Sequence, residues 1–241
     1  RWNADPQELQ ALQTELATTD PDGAGAFLQE QLASGQPFRY LGYGGVNRPG
    51  DGWYSATYMV RRFDPEMAGI LVNGRSLMLG LYDIQSYDPI QLSRYVDLIR
   101  AANGRAQNYH TAFIDDQGLA SPLLDLLDVR YVLVPDSLSR DRPDVANLVE
   151  NSKAVYQEGN VTVYEREAHP AHAWIVHDVR SVAPNTALEL IASGSVNLHR
   201  TALIEGTAPQ VPPATSTKND RATVTGYEPD RIEIDTHSSV R

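Results

Sequence analysis

Residues 121 to 136, SPLLDLLDVRYVLVPD, decide the architecture. Ser121 is placed to cap a helix, and Pro122 follows where a missing N–H costs nothing. Leu123, Leu124, Leu126 and Leu127 then give one side of a short helix to a core. Val129 to Val134 follow at once as a β-branched and aromatic run that Pro135 ends. Only Arg130 interrupts this run, which predicts a strand covered on both faces. A helix that delivers a buried strand with almost no intervening loop is an α/β core unit.

Working outward, other elements fit around that unit. Helical spacing of Leu9, Leu12 and Leu16 predicts a helix over 5–17, and Phe27, Leu28 and Leu32 predict a second over 25–34. Residues 38–43 read as a first core strand, and 44–52 as a glycine-rich loop. Residues 77–84 read as a strand, or as a strand entering a turn. Asp88-Pro89 opens a helix to Ala102 with Leu92, Tyr95, Val96 and Ile99 inward, stopped by Asn103-Gly104. Residues 105–120 read as a loop, and 145–149 as a short helix or turn. Residues 154–166 form a hairpin turning at Glu158-Gly159-Asn160. A strand over 173–179, a helix over 185–192 and a strand over 200–204 come next. A second hairpin over 223–235 turns at Glu228-Pro229-Asp230.

The fold expected is α/β to α+β, a mixed β-sheet flanked by helices, with the hairpins forming a small second lobe. The chain divides into an N-terminal helical segment (1–36), an α/β core (37–206), a Pro-rich linker or loop (207–220) and a C-terminal hairpin (221–241).

Composition narrows the function classes. The 241 residues are 41% hydrophobic and 21% charged, enough for a sizeable core. No run reaches the roughly 18 apolar residues of a membrane span, and no signal peptide is visible. The opening Arg1-Trp2-Asn3 lacks Met, so a segment of a longer protein is expected. A net charge of -11 disfavours nucleic acid and anionic membrane surfaces as partners. The absence of cysteine excludes disulfides and thiolate metal sites.

Catalytic motifs are missing. There is no G-x-S-x-G elbow and no P-loop, and Gly42-Tyr43-Gly44-Gly45 lacks dinucleotide-site spacing. Asp83 and Asp88 flank Tyr87 on an expected strand-to-helix turn, where with Arg94 they could meet a cation or sugar hydroxyls. Asp88 before Pro89 is equally an N-cap. Asp20-Pro21-Asp22 has the D-x-D spacing of metal-dependent sugar transferases, but lies in a turn that favours Asp and Pro anyway. His169, His172 and His177 fall short of a metal set and read as isolated surface histidines. No catalytic residue, metal or cofactor is therefore expected. Asn160-Val161-Thr162 fits a glycosylation sequon at a turn where Asn is structurally expected. Twelve tyrosines and three tryptophans against four phenylalanines favour rings with a polar handle. Trp53, Tyr54 and Tyr58 outline an aromatic surface, with Tyr82 and Tyr87 nearby in sequence.

Taken in order, PFRYLGYGG, LMLGLYDIQSYDPIQLSRYVDLI, SPLLDLLDVRYVLVP, VTVYERE with HPAHAWIVHDV, and TGYEPDRIEI resemble the large soluble region of YfhO-type bacterial multi-pass membrane proteins, over about 37–236. That family is similar to the GT-C class of glycosyltransferases, which use lipid-linked sugars. The resemblance implies a domain on the extracytoplasmic side of the bacterial cell membrane, tethered by flanking helices outside this chain. It implies a non-catalytic part in binding or positioning a glycan or lipid-linked sugar acceptor. The YDIQSYDP block then becomes the contact segment, with Tyr82, Asp83, Tyr87, Asp88, Arg94 and Tyr95 as ligand-binding residues. Two other readings stay open: a soluble carbohydrate-active enzyme using paired carboxylates 5 to 10 Å apart, and a scaffold domain for envelope partners.

Overall fold

The computed structural model describes residues 23–45, 68–72, 74–88, 90–107, 111–167, 171–211, 219–228 and 230–238. The helix expected over 5–17, the aspartates at 20 and 22, most of the 44–52 loop, the Trp53, Tyr54, Tyr58 surface and His169 lie outside these residues.

The core unit forms as the sequence dictates. Leu123 N–H bonds Ser121 Oγ at 3.3 Å, and helix Leu123–Leu126 leads directly into strand Val129–Pro135. Asp128, between them, takes a left-handed φ of 54° to make the reversal. Strand residues alternate between two cores. Val129, Val132 and Val134 enter one with Leu123, Leu124 and Ile99. Tyr131 and Leu133 enter the other with Leu28, Phe38 and Tyr40. Burial on both faces makes this strand the spine of the molecule.

Numbered along the chain, the helices are α1 (Ala24–Ser34), α2 (Arg75–Leu79), α3 (Ser93–Asn103), α4 (Leu123–Leu126), α5 (Pro143–Glu150) and α6 (Thr186–Ala192). A single 3-10 turn covers Gly118–Ala120. The strands are β1 (Arg39–Gly42), β2 (Ser86–Tyr87), β3 (Thr111–Ala112), β4 (Val129–Pro135), β5 (Ser152–Glu158) and β6 (Val161–Arg166). They continue with β7 (Asp178–Val182), β8 (Thr201–Glu205), β9 (Arg221–Tyr227) and β10 (Ile232–His237). The main sheet has the order β1-β4-β6-β5, with β1 parallel to β4 and the other pairs antiparallel. Two-stranded sheets pair β2 with β3, β7 with β8 and β9 with β10. This is the mixed α/β architecture expected.

Several expectations need correction. The 77–84 segment is not a strand. Gly74 and Gly80, both at left-handed φ, bracket the short helix α2, which leaves Leu77 85% exposed. The apolar run Leu77-Met78-Leu79 mimicked a buried strand, while the glycines that break it set the backbone. Helix α3 starts at Ser93 rather than at Asp88, and Leu92 is 80% exposed rather than inward. Asp88 Oδ1 accepts from Ile90 N–H at 2.8 Å, a local turn that replaces the expected cap. The strand expected over 173–179 begins only at Asp178. The 105–120 loop holds β3 and the 3-10 turn. The first hairpin joins the main sheet through β6 and so does not build a separate lobe. Its turn residues Gly159 and Asn160 both have positive φ, as a tight two-residue hairpin turn needs.

Candidate ligand-binding site

Residues 82 to 85 run along the free edge of β1. Tyr40 N–H bonds Tyr82 O at 2.9 Å and Ile84 N–H bonds Tyr40 O at 3.2 Å, which makes a parallel bridge between Tyr40 and Asp83. Gln85 clamps the segment from the other side. Its Nε2 donates to Gly42 O at 2.7 Å, and its Oε1 accepts from Ile114 N–H at 3.0 Å. The Tyr95 hydroxyl, reaching over from α3, donates to Ile84 O. Asp83 therefore sits on backbone held from three directions.

Asp83 Oδ1 accepts from Gln85 N–H at 2.9 Å, and no basic side chain among the described residues pairs with the carboxyl. Burial pushes its pKa up to about 8, against the opposing pull of the Gln85 and Ile84 N–H groups. Tyr95 lies close enough to feel two charges. Burial and then the Asp83 charge raise its hydroxyl pKa, while Arg39 lowers it. Burial, followed by Tyr227, also raises the Tyr82 pKa. Near neutral pH the group at 83 is thus a carboxylic acid. It offers one O–H donor and acceptor lone pairs near Tyr95. That combination matches the hydroxyls of an uncharged ligand better than it matches a cation.

Tyr227 closes one side. Its ring meets Tyr82 edge-on at 4.8 Å and His172 edge-on at 4.7 Å, and its hydroxyl accepts from Arg39 Nη2 at 3.1 Å. Arg39 Nη1 donates in turn to Leu127 O at 3.0 Å. His172 Nδ1 lies 2.6 Å from Asp128 Oδ2, both side chains being under a tenth exposed. Farther along, His177 Nε2 is 2.5 Å from Asp220 Oδ2, in a part-buried pair. These two histidines are therefore not isolated surface groups. Each meets one carboxylate, and no cluster of three metal-ligating side chains occurs among the described residues. The Gly42 of the GYGG stretch serves packing, because a Cβ there would stand 2.2 Å from Ile70 O.

Of the residues expected to bind ligand, the fold brings Tyr95 to Asp83, while the Tyr82 ring packs on Tyr227. Asp88 is exposed and engaged in its own turn. Arg94 is 84% exposed and pairs with Glu205 at 2.7 Å instead of with either aspartate. The Tyr87 side chain lies outside the described residues, although its backbone pairs with Thr111. Sequence reasoning missed Arg39, Tyr227 and Asp128, and set His172 aside as a surface group. The chain matches no family model, and neither a curated protein nor a solved structure matches it.

Proposed function

We propose that the chain is a non-catalytic, extracytoplasmic domain of a membrane-embedded, glycosyltransferase-like protein, and that it binds or positions a glycan or cell-envelope acceptor. The observation that carries this reading is the Asp83 carboxyl, held neutral near pH 7 with no cationic partner among the described residues, near Tyr95. A neutral acid presents both a donor and acceptors, the complement of sugar hydroxyls. The ordered resemblance of five segments to YfhO-type proteins supplies the membrane context. No helix of the described residues is long and apolar enough to cross a bilayer, so in this reading the anchor belongs to flanking segments.

The raised proton affinity of Asp83 also suits a general acid, which favours the carbohydrate-active enzyme as second reading. Glycoside hydrolysis needs a second carboxylate close by. The groups that set the Asp83 proton affinity include none, and this weighs toward binding.

Calorimetry of the full chain against neutral oligosaccharides and oligosaccharides released from bacterial envelopes tests the proposal. Wild type binds at pH 7 and weakens as pH rises past about 8. Asp83→Ala loses about tenfold or more in affinity, equivalent to one strong hydrogen bond. Asp83→Asn, an uncharged mimic of the acid, binds without the pH dependence. Absence of binding to every oligosaccharide, or equal binding by Asp83→Ala, overturns the reading.

A further inference from the structure

A second feature lies apart from Asp83. Between α4 and the β7–α6–β8 unit a half-open cavity of about 120 Å³ is lined by Leu123, Leu126, Ile191 and Trp174, with Asp125 and His199 among its polar groups. The Trp174 indole N–H donates to Leu198 O at 2.8 Å, so its ring is fixed in orientation and its polar atom is already satisfied. The His199 ring stands 5.4 Å from it, tilted by 41°. Asp125 Oδ1 accepts from Arg166 Nη2 at 2.6 Å. Its second oxygen and the His199 ring nitrogens have no partner among the described residues.

We propose that this cavity is a subsite for one neutral pyranose ring, with its C–H face on Trp174 and its hydroxyls on Asp125 Oδ2 and the His199 imidazole. Size limits the occupant to part of one ring: at about 120 Å³ the half-open cavity is below the roughly 150 Å³ that holds benzene, so a pyranose lays one face in it and leaves the other in solvent. Charge removes the other candidates. A phosphate or carboxylate would meet Asp125, whose Arg166 partner is already engaged with it. A quaternary ammonium needs an uncompensated negative charge or an aromatic cage. Here the carboxylate is compensated and a single indole forms the wall. A plain aromatic ring would leave the acceptor and imidazole at the rim unmatched. A sugar ring satisfies both wall and rim.

The inference stands on the cavity and not on Asp83, and the two are read separately. The chain has three tryptophans, so its indole N–H signals in a nitrogen–proton correlation spectrum number three, and Trp174→Phe identifies the one from this site. The full chain is titrated with methyl glucoside, methyl galactoside, methyl mannoside, N-acetylglucosamine, choline and phenol. The proposal expects one or more glycosides to move the Trp174 signal saturably, with a Kd of roughly millimolar order. His199→Ala then raises that Kd about threefold to tenfold, the loss of one hydrogen bond. Asp125→Asn, which keeps an oxygen for Arg166, retains the folded spectrum and weakens the same titration. A Trp174 signal unmoved by all four sugars overturns the proposal. So does one moved by choline or phenol but not by sugars, or a glycoside response unchanged in His199→Ala and Asp125→Asn.

Discussion

Replacing Asp83 by asparagine isolates the energetic consequence of a shielded, unpaired acid. Asparagine keeps an oxygen to accept from Gln85 N–H, now at 2.9 Å, and removes only the ability to ionise. In the unfolded chain the carboxyl titrates at its ordinary value of 3.8, and in the folded chain at about 8. The folded protein therefore holds a proton that the unfolded chain has released. Stability from this group is fully present below about pH 4 and is lost as pH rises through about 8, above which it stays lost. At about 1.4 kcal/mol per unit the full shift amounts to on the order of 5 kcal/mol. Urea unfolding of both proteins between pH 5 and 9 reads the part of this that falls between pH 5 and about 8, on the order of 4 kcal/mol. Wild type should fall relative to Asp83→Asn by about that amount, most of it before pH 8. A difference independent of pH, or a wild type that gains stability over that range, refutes the shielded-acid argument.

Two other perturbations probe the framework around the site. Gly42→Ala places a Cβ 2.2 Å from Ile70 O and 2.8 Å from Val72 Cγ1, with backbone on one side that cannot yield. A loss of about 3 kcal/mol or more is expected in denaturant unfolding, and a variant as stable as wild type contradicts the packing described. Tyr227→Phe leaves the ring contacts to Tyr82 and His172 but removes the acceptor for Arg39 Nη2. About 1 kcal/mol should be lost, and an unchanged urea midpoint would mean the hydroxyl contributes nothing to holding the C-terminal hairpin.

How far these features can be read from the chain depends on whether their causes are local. Strand β4 is legible because a run buried on both faces is apolar throughout, and both cores then follow from its alternation. Helix α2 is not legible, because Leu77-Met78-Leu79 carries a buried-strand pattern while two of those side chains face solvent. Only Gly74 and Gly80, at left-handed φ, mark the break. The site divides in the same way. Asp83 and Tyr95 lie within one stretch of chain, so their approach has a local cause. Arg39 and Tyr227 are 188 residues apart, and only the docking of β9 near the start of β1 joins them. His172 offered no local sign of its carboxylate, since Asp128 lies 44 residues earlier in a turn set by tertiary packing. Arg94 was misjudged for a related reason. Its nearest carboxylate in space, Glu205, is remote in sequence.

The most direct test of the account is the titration of the Asp83 carboxyl carbon by NMR, assigned with Asp83→Asn, in the absence and presence of a saturating oligosaccharide that binds in calorimetry. The account predicts an inflection near 8 in the free protein. It predicts a further rise when ligand is bound, because a ligand that prefers the neutral acid holds its proton in place. An inflection near the ordinary value of about 4, or one that ligand leaves unmoved, would contradict it.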